Sequence, residues 1–288
     1  SMSARRWTVL ELLKTTADYL GEKGSASARL DAELLLTHTL ATDRVKLYCA
    51  FDQPVDDGEL AAFRELVRRR AKGEPVAYLL GTKEFYGLDF RVTPDVLIPR
   101  PETEHLVDRA LECLPTGEAA RVLDVGVGSG AVAVAMAKTR PELTLTATDI
   151  SPEAVAVARE NAATHGVDGR VEFVVGDLFA GATGPFDAVV SNPPYVDPAT
   201  RDSLAADVRD FEPAGALFAD ENGLAVIRRL VAQAPDVLRR GGALLLETGY
   251  DQTESVAAMM KEDGRYGDTV VFRDYAGRPR IVQARVKG

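Results

Sequence analysis

Apolar residues recur at helical spacing through the first 76 residues of the chain. The first stripe comprises Trp7, Leu10, Leu13, Ala17 and Leu20. Similar stripes follow within residues 30–40 and 60–67. Stripes with this period indicate helices that each bury one face. Residues 1–76 are therefore predicted to form a small helical bundle, and because they contain no catalytic constellation we expect them to bind the substrate.

The pattern changes to that of strands from residue 77 onwards. Residues 77–98 predict a β-hairpin linker around Gly87, with aromatic and β-branched residues on both sides. Residues 99–288 then alternate short apolar runs with helical stripes. Strands are predicted at 121–125, 143–148, 171–175, 186–191, 243–247, 269–273 and 279–286. Helices are predicted at 99–114, 130–139, 152–165 and 223–239. This alternation is typical of an α/β fold with a doubly wound, mainly parallel sheet, here of seven strands.

A glycine-rich loop follows the first of these strands. Its residues are Asp124, Gly126, Val127, Gly128, Ser129 and Gly130. Alternating glycines let the backbone turn tightly and let a ligand approach it closely. In open α/β sheets such ligands bind outside the carboxyl ends of the strands. The loop therefore predicts a cofactor site.

Two acids at the ends of the next strands extend this site. Asp149 follows the second strand, where an acid can accept hydrogen bonds from ribose hydroxyls. Asp177, followed by Leu178, comes after the third strand and can accept from an adenine amino group. The pattern predicts a nucleoside cofactor. It leaves NAD and S-adenosylmethionine both open, although the G-x-G-x-G spacing favours the methyl donor.

Asn192, Pro193, Pro194 and Tyr195 directly follow the fourth strand. The Asn192 carboxamide can accept a hydrogen bond. Pro193 fixes its own φ angle and restricts the backbone of Asn192. Tyr195 offers a flat ring. These groups suit the binding of a planar –NH2 group, which predicts chemistry on an amide or amino nitrogen. The simpler interpretation is a proline-rich turn that leaves a strand.

Charge and composition narrow the classes of partner. The net charge is 34 − 44 = −10, whereas proteins that grip a nucleic-acid backbone usually carry a basic balance or patch. The acidic charge favours a protein or a small molecule as the substrate. Cys49 and Cys113 imply no disulfide framework, and no Cys/His cluster has metal-ligand spacing. No apolar run approaches the roughly 20 residues that span a bilayer, so we expect a cytoplasmic protein.

The two motifs together resemble those of the class I S-adenosylmethionine-dependent methyltransferases. Asp124–Gly130 is similar to their first motif, and Asn192–Tyr195 to the signature of members that methylate planar nitrogens. Four further stretches are similar to the HemK/PrmC family: residues 29–35, 81–87, 97–104 and 211–213.

The resemblance implies a class I (Rossmann-like) methyltransferase fold. It implies S-adenosyl-L-methionine as the donor, S-adenosyl-L-homocysteine as the product, and class 1 peptide chain release factors as the partners. The methyl group would go to the glutamine side-chain nitrogen of their Gly-Gly-Gln motif. By position, Gly126, Gly128 and Gly130 would face the cofactor, Asp149 would bind its ribose, and residues 192–195 would hold the glutamine.

Other interpretations stay open at this point. An amino-group methyltransferase that acts on rRNA or DNA bases would fit the same site motif. A non-catalytic module that binds a translation factor is the alternative from another class. The long connection 196–222 is predicted to form part of the substrate wall, and Phe211 and Glu212 in it either contribute to that wall or anchor a packed loop.

Overall fold

The computed structural model describes residues 6–288, so the first five residues of the predicted helical bundle lie outside the described part. The chain divides into two compact units. The helical unit comprises the residues up to Gly81 together with Ala206–Phe211, and the sheet unit comprises Thr82–Ala205 together with Glu212–Gly288. Within residues 6–288 no helix has both the length and the apolar character needed to cross a membrane.

The helices alternate with short strands in the second unit only. The α-helices are α1 Val9–Glu22, α2 Ala28–Thr39, α3 Arg44–Tyr48, α4 Asp57–Ala71, α5 Val76–Leu80, α6 Glu104–Glu112, α7 Ala131–Thr139, α8 Pro152–Thr164, α9 Ala206–Phe211, α10 Ala214–Leu217, α11 Asp220–Gly223, α12 Ala225–Gln233 and α13 Thr253–Asp263. The strands are β1 Thr82–Phe85, β2 Leu88–Arg91, β3 Ala120–Val125, β4 Leu143–Asp149, β5 Val171–Val175, β6 Phe186–Ser191, β7 Leu238–Glu247, β8 Val270–Arg273 and β9 Pro279–Arg285. Short 3-10 helices lie at Pro101–Thr103, Asp168–Arg170, Pro198–Ser203 and Ala234–Asp236.

The three predicted apolar stripes of the helical unit correspond to α1, α2 and α4. Thr8 begins α1 by accepting a hydrogen bond from the Glu11 amide, and Asp56 begins α4 through a reciprocal capping box with Glu59. Leu13, Leu35, Leu36 and Phe63 are almost fully buried between the helices. The short helices α3 and α5 were not predicted, because five residues show no helical period.

The sheet unit contains a seven-stranded sheet with the order β5-β4-β3-β6-β7-β9-β8. Strands β3 to β7 are parallel, whereas β9 runs antiparallel to both β7 and β8. From β3 the chain adds β4 and β5 on one side of the sheet, and it then returns to add β6 on the other side of β3. The carboxyl ends of β3 and β6 are therefore the switch point where α/β sheets bind ligands. The predicted α/β fold with seven strands is confirmed.

Both faces of this sheet are covered by helices. Val122 of β3 packs with α6, α7 and α8, while its neighbour Leu123 packs on the opposite face with α12 and α13. This alternation follows from the two-residue period of a strand. Helix α13 was not predicted, and β7 begins five residues before the strand predicted at 243–247.

The predicted hairpin consists of β1 and β2, joined by Tyr86 and Gly87. Both loop residues have positive φ angles, of 53° and 73°. A two-residue loop with this backbone matches the twist of the flanking strands. Phe85 and Phe90, on either side of the turn, are buried in the core of the sheet unit.

Candidate active site

A cavity of about 460 Å³ lies at the carboxyl ends of the parallel strands β3 to β6. It is lined by the following predicted site residues: Asp124, Gly126, Val127, Gly128, Ser129, Asp149, Asp177, Leu178, Asn192, Pro193 and Pro194. Gly130 and Tyr195 are the two predicted residues that do not line it. A second cavity, beside the hairpin, contains no predicted site residue. The fold thus brings the two sequence motifs to one cavity.

The glycine-rich loop turns sharply between β3 and α7. Gly126 and Gly128 have φ angles of 78° and 54°, which L side chains rarely adopt. The amides of Gly126 and Val127 donate to the Thr148 carbonyl at 2.8 and 2.9 Å. The loop is therefore fixed to the end of β4 while its other face stays open to the cavity.

Gly130 packs closely against α8 and does not line the cavity. Its φ angle is 89°, and a Cβ there would lie 3.2 Å from the Ala158 Cβ of α8. Asn161, also on α8, donates through Nδ2 to the Ser129 carbonyl at 2.7 Å. The sequence did not single out Asn161, because a polar residue within a helical stripe gives no signal of its contact. It holds the end of the loop against α8.

Asp124 presents a buried acceptor to the cavity. Only 3% of its surface is exposed, and its Oδ2 atom has no hydrogen-bond partner within residues 6–288. Burial raises the pKa of this carboxyl to about 8, and the nearby Asp149 contributes to the increase. A buried acidic atom without a partner suits a cationic group of a ligand. Within residues 6–288 no group of three or more His, Cys, Asp or Glu side chains is arranged to hold a metal ion.

Asp149 and Ile150 lie at the end of β4. The Asp149 Oδ2 atom accepts from the Gly128 amide at 2.9 Å, and Oδ1 accepts from the Ser151 amide at 3.0 Å. These bonds hold the carboxylate beside the glycine loop. Ile150 is 71% exposed although it lines the cavity. The sequence analysis missed it, and an apolar residue directly after the strand-end acid was the available signal.

The Arg229 guanidinium of α12 donates two hydrogen bonds to Asp177, at 3.2 Å to Oδ1 and at 2.6 Å to Oδ2. This hydrogen-bonded pairing lowers the pKa of the Asp177 carboxyl. Both side chains are about half exposed and both line the cavity. Leu178 has a positive φ of 52°, and its carbonyl accepts from the Thr148 hydroxyl at 2.7 Å. Arg229 gave no signal in the sequence, because its partner is 52 residues away along the chain.

Asn192 contributes a second buried acceptor. Its Oδ1 atom has no hydrogen-bond partner within residues 6–288, while its Nδ2 atom donates to the Thr103 hydroxyl at 3.4 Å. Thr103 in turn donates to Glu247 at the end of β7. Pro193 is buried and Pro194 half-buried, and both line the cavity beside the amide. A carboxamide oxygen in this setting can bind an –NH2 group.

Tyr195 lies behind this wall. Its ring packs against the apolar cluster between the sheet and α12, and its carbonyl accepts from Gln252 Nε2 at 2.9 Å. Burial raises the pKa of its hydroxyl to about 12, so the phenol is neutral. The sequence predicted a ring that faces the substrate. In the structure the proline rings take the position next to the cavity.

The connection 196–222 is divided into a 3-10 helix and short α-helices. Glu212 within it is buried and accepts from the Ile98 amide at 3.2 Å and from Arg100 at 2.6 Å. It thus anchors the segment before α6, which was one of the two interpretations of this residue. Phe211 belongs to the helical unit.

Comparison with known proteins decides the family. A domain model described as the PrmC N-terminal domain matches residues 11–81, and one described as the methyltransferase small domain matches residues 107–211. The release factor glutamine methyltransferase of Geobacter sulfurreducens is 46% identical over 281 residues, which cover 97% of each chain. The chain belongs to the release factor glutamine methyltransferase family.

A further relative agrees with this membership, and one solved structure shares the fold. The family member from Rhodopirellula baltica is 42% identical over 282 residues, which cover 96% of this chain and 95% of the relative. The crystal structure of a methyltransferase from Pyrococcus furiosus matches with a TM-score of 0.53 at 20% identity, covering 77% of this chain and 97% of that one, and shares the fold. The predicted resemblance to this family and the predicted methyltransferase fold are confirmed.

Proposed function

We propose that this protein transfers the methyl group of S-adenosyl-L-methionine to a glutamine side-chain nitrogen of class 1 peptide chain release factors. The glutamine is that of their Gly-Gly-Gln motif, and S-adenosyl-L-homocysteine is the second product. The observation that carries the proposal is the buried Asn192 Oδ1 atom without a partner. Asn192 lines the same cavity as the glycine loop, and its oxygen can accept a hydrogen bond from an –NH2 group. The relatives at 46% and 42% identity carry the name that specifies a release factor glutamine.

The residues of the cavity fit the proposed cofactor. Asp124 offers an acidic acceptor without a partner to the amino group of its methionine part. Asp149 is held where it can accept from ribose hydroxyls, and the exposed Ile150 offers an apolar surface for the adenine. Asp177, held by Arg229, keeps a charged carboxylate at the adenine end. When bound, S-adenosylmethionine supplies an activated, electrophilic methyl group.

The task of the chain is then to orient the acceptor nitrogen. An amide nitrogen is a poor nucleophile, because its lone pair is delocalised into the carbonyl. The Asn192 oxygen and the Pro193 carbonyl would accept from the two amide protons and so increase the electron density on nitrogen. The rigid proline backbone limits the motion of both acceptors, and orientation of this kind supplies much of the rate enhancement. The neutral Tyr195 would support this wall from behind.

The proposed partner is a protein and not a nucleic acid. The net charge of −10 opposes the binding of a polyanionic backbone. The rival activity, methylation of rRNA or DNA amino groups, would need a basic surface.

Because release factors act on ribosomes, we expect the protein to act in the cytoplasm. Recognition of the release factor is assigned to the helical bundle predicted at residues 1–76, with 77–98 as the linker and 99–288 as the methyltransferase domain.

Incubation with labelled S-adenosylmethionine and a purified class 1 release factor tests the proposal. Peptide mass spectrometry is expected to find one added methyl group on the Gly-Gly-Gln glutamine. A release factor with this glutamine replaced by alanine is the matched control and should stay unlabelled. Label on ribosomal RNA or DNA and not on the release factor would support the rival activity. No transfer to any of these substrates would contradict the proposal.

A further inference from the structure

We propose that Glu247 and Thr103 are positioning residues that hold the Asn192 carboxamide with its oxygen turned towards the substrate. Nothing in the reaction itself requires Glu247 to touch the substrate, and it does not line the cavity. The inference rests on the proposed function, because it concerns how the acceptor for the glutamine –NH2 group is kept in place.

Three side chains form one continuous hydrogen-bonded chain. Glu247 ends β7, an inner strand of the sheet, and is only 3% exposed. Thr103, from the 3-10 turn before α6, donates from Oγ1 to Glu247 Oε2 at 3.1 Å. Asn192 donates from Nδ2 to the Thr103 Oγ1 atom at 3.4 Å. The three residues come from positions 103, 192 and 247, so the contact exists only in the folded sheet unit.

The direction of each hydrogen bond follows from the chemistry of the groups. An ionised carboxylate can only accept, so the Thr103 hydroxyl must give its single proton to Glu247. The Thr103 oxygen is then left as an acceptor, and only the Nδ2 side of the Asn192 amide can satisfy it. This polarity turns Oδ1 of Asn192 towards the cavity. A donor at Glu247 would reverse the chain and place the amide NH2 group where the substrate –NH2 must bind.

Burial of the Glu247 carboxyl group costs folding free energy. Its Oε1 atom has no hydrogen-bond partner within residues 6–288. Burial raises its pKa to about 7, Thr103 opposes the increase, and the further charges that act on it are those of Glu102, Arg280 and Arg100. Tyr195 is neutral. The polarity of the chain should therefore depend on pH near neutrality.

Replacement of the Thr103 hydroxyl tests the hydrogen-bonded chain of Glu247, Thr103 and Asn192 directly. Thr103→Val keeps the shape of the side chain and removes the middle link, so kcat for release factor methylation should fall about 10- to 100-fold, as expected for a misplaced reacting group. The Kd for S-adenosylmethionine should change much less. Thr103→Ser should recover most of the lost turnover. Thr139→Val removes a hydroxyl that bonds only the Ala135 carbonyl within α7, and it is the matched control with unchanged kcat.

The pH profile gives a readout that loss of packing would not produce. The ionised form of Glu247 is the active one, so kcat should rise with pH through about 7 and then level off. Glu247→Gln should lower kcat at high pH and remove this rise. An unchanged rise in Glu247→Gln, or wild-type kcat in Thr103→Val, would overturn the proposal.

The NMR signal of the Asn192 side-chain amide tests the chain independently of activity. Its protons should titrate with a midpoint near pH 7 in the wild type and not in Glu247→Gln, with the signal assigned from its absence in Asn192→Ala. A wild-type signal that does not titrate near pH 7, or one that titrates unchanged in Glu247→Gln, would overturn the proposal. Absence of wild-type transfer to the release factor would contradict the proposed function instead, while the NMR titration would still decide the positioning of Asn192.

Discussion

At the scale of single residues, the unusual feature is a group of buried acceptors without partners. Within residues 6–288 they are Asp124 Oδ2, Asn192 Oδ1 and Glu247 Oε1. Each such atom costs folding free energy, typically about 1–3 kcal/mol. Two of them line the same cavity, and the third is connected to it through Thr103. Polar groups left unsatisfied around one cavity indicate a place that a ligand completes.

Asn192→Ala should reduce turnover far more than cofactor affinity. It removes the acceptor for the substrate amide, and loss of one preorganised hydrogen-bonding group typically lowers kcat by about 100-fold or more. The Kd for S-adenosylmethionine, measured by calorimetry, should stay within a few-fold of the wild-type value. Wild-type turnover in this variant would contradict the proposed role of Asn192.

Asp124→Asn should change how the stability of the ligand-free protein depends on pH. The pKa of Asp124 is raised from 3.8 to about 8 in the folded state, so its stabilising contribution is fully present below about pH 4 and is lost progressively as pH rises to about 8. Asparagine removes this loss. The free energy of unfolding in urea should therefore fall less between pH 6 and pH 9 in the variant than in the wild type. Parallel curves would show that Asp124 ionises normally in the folded state.

At the scale of elements, apolar periodicity predicted most of the sheet unit. The predicted helix 152–165 corresponds to α8 at Pro152–Thr164, because Ser151 caps it and Pro152 occupies its first turn. The strands at 121–125 and 186–191 agree with β3 and β6 to within one residue. Their alternation and the turn residues around them are local signals. The strand order is not local and follows only from the folded sheet.

The parts of the site that the sequence did not predict depend on distant contacts. Tyr195 is a ring beside two prolines in the sequence, yet its direction is set by the packing of α12 and by Gln252. Arg229, Thr103 and Glu247 each meet their partners across more than one element. No spacing in the chain encodes such pairs. The loop and strand-end residues could be predicted because the fold places strand ends together.

The close approach of α11 to the Asn192–Tyr195 segment leads to a prediction for Gly223. A Cβ at Gly223 would lie 2.0 Å from the Tyr195 carbonyl oxygen, and its φ angle of 86° disfavours any side chain. Gly223→Ala should displace Tyr195, lower the thermal denaturation midpoint and reduce kcat. Gly169→Ala is the matched control, because its added Cβ meets no atom within 4 Å. Equal kcat and denaturation midpoints in the two variants would contradict this prediction, because they would show that the Asn192–Tyr195 segment accommodates the added methyl group.

At the scale of the whole molecule, the chemistry and the proposed recognition are assigned to different units. The cavity belongs to the sheet unit, as do all the residues predicted for the cofactor site and the Asn192–Tyr195 segment. The helical unit has a core of its own and carries several exposed large apolar residues: Tyr19, Leu30, Val45 and Tyr48. Scattered apolar residues are normal on a surface. Their exposure alone therefore does not assign them to release factor binding. That assignment is tested by measuring activity in substituted variants.

Val45 of α3 is the most exposed of these residues, at 73%. If the helical unit binds the release factor through this region, Val45→Asp should raise the KM for the release factor about 10-fold, by loss of apolar contact and burial of a charge. The Kd for S-adenosylmethionine should not change, because the cofactor site belongs to the other unit. Val271→Asp places the same charge on β8 of the sheet unit, at a valine that is 40% exposed, and should leave KM unchanged. Equal KM values in both variants would assign recognition to another surface, since exposed substitutions of this kind leave stability nearly unaffected.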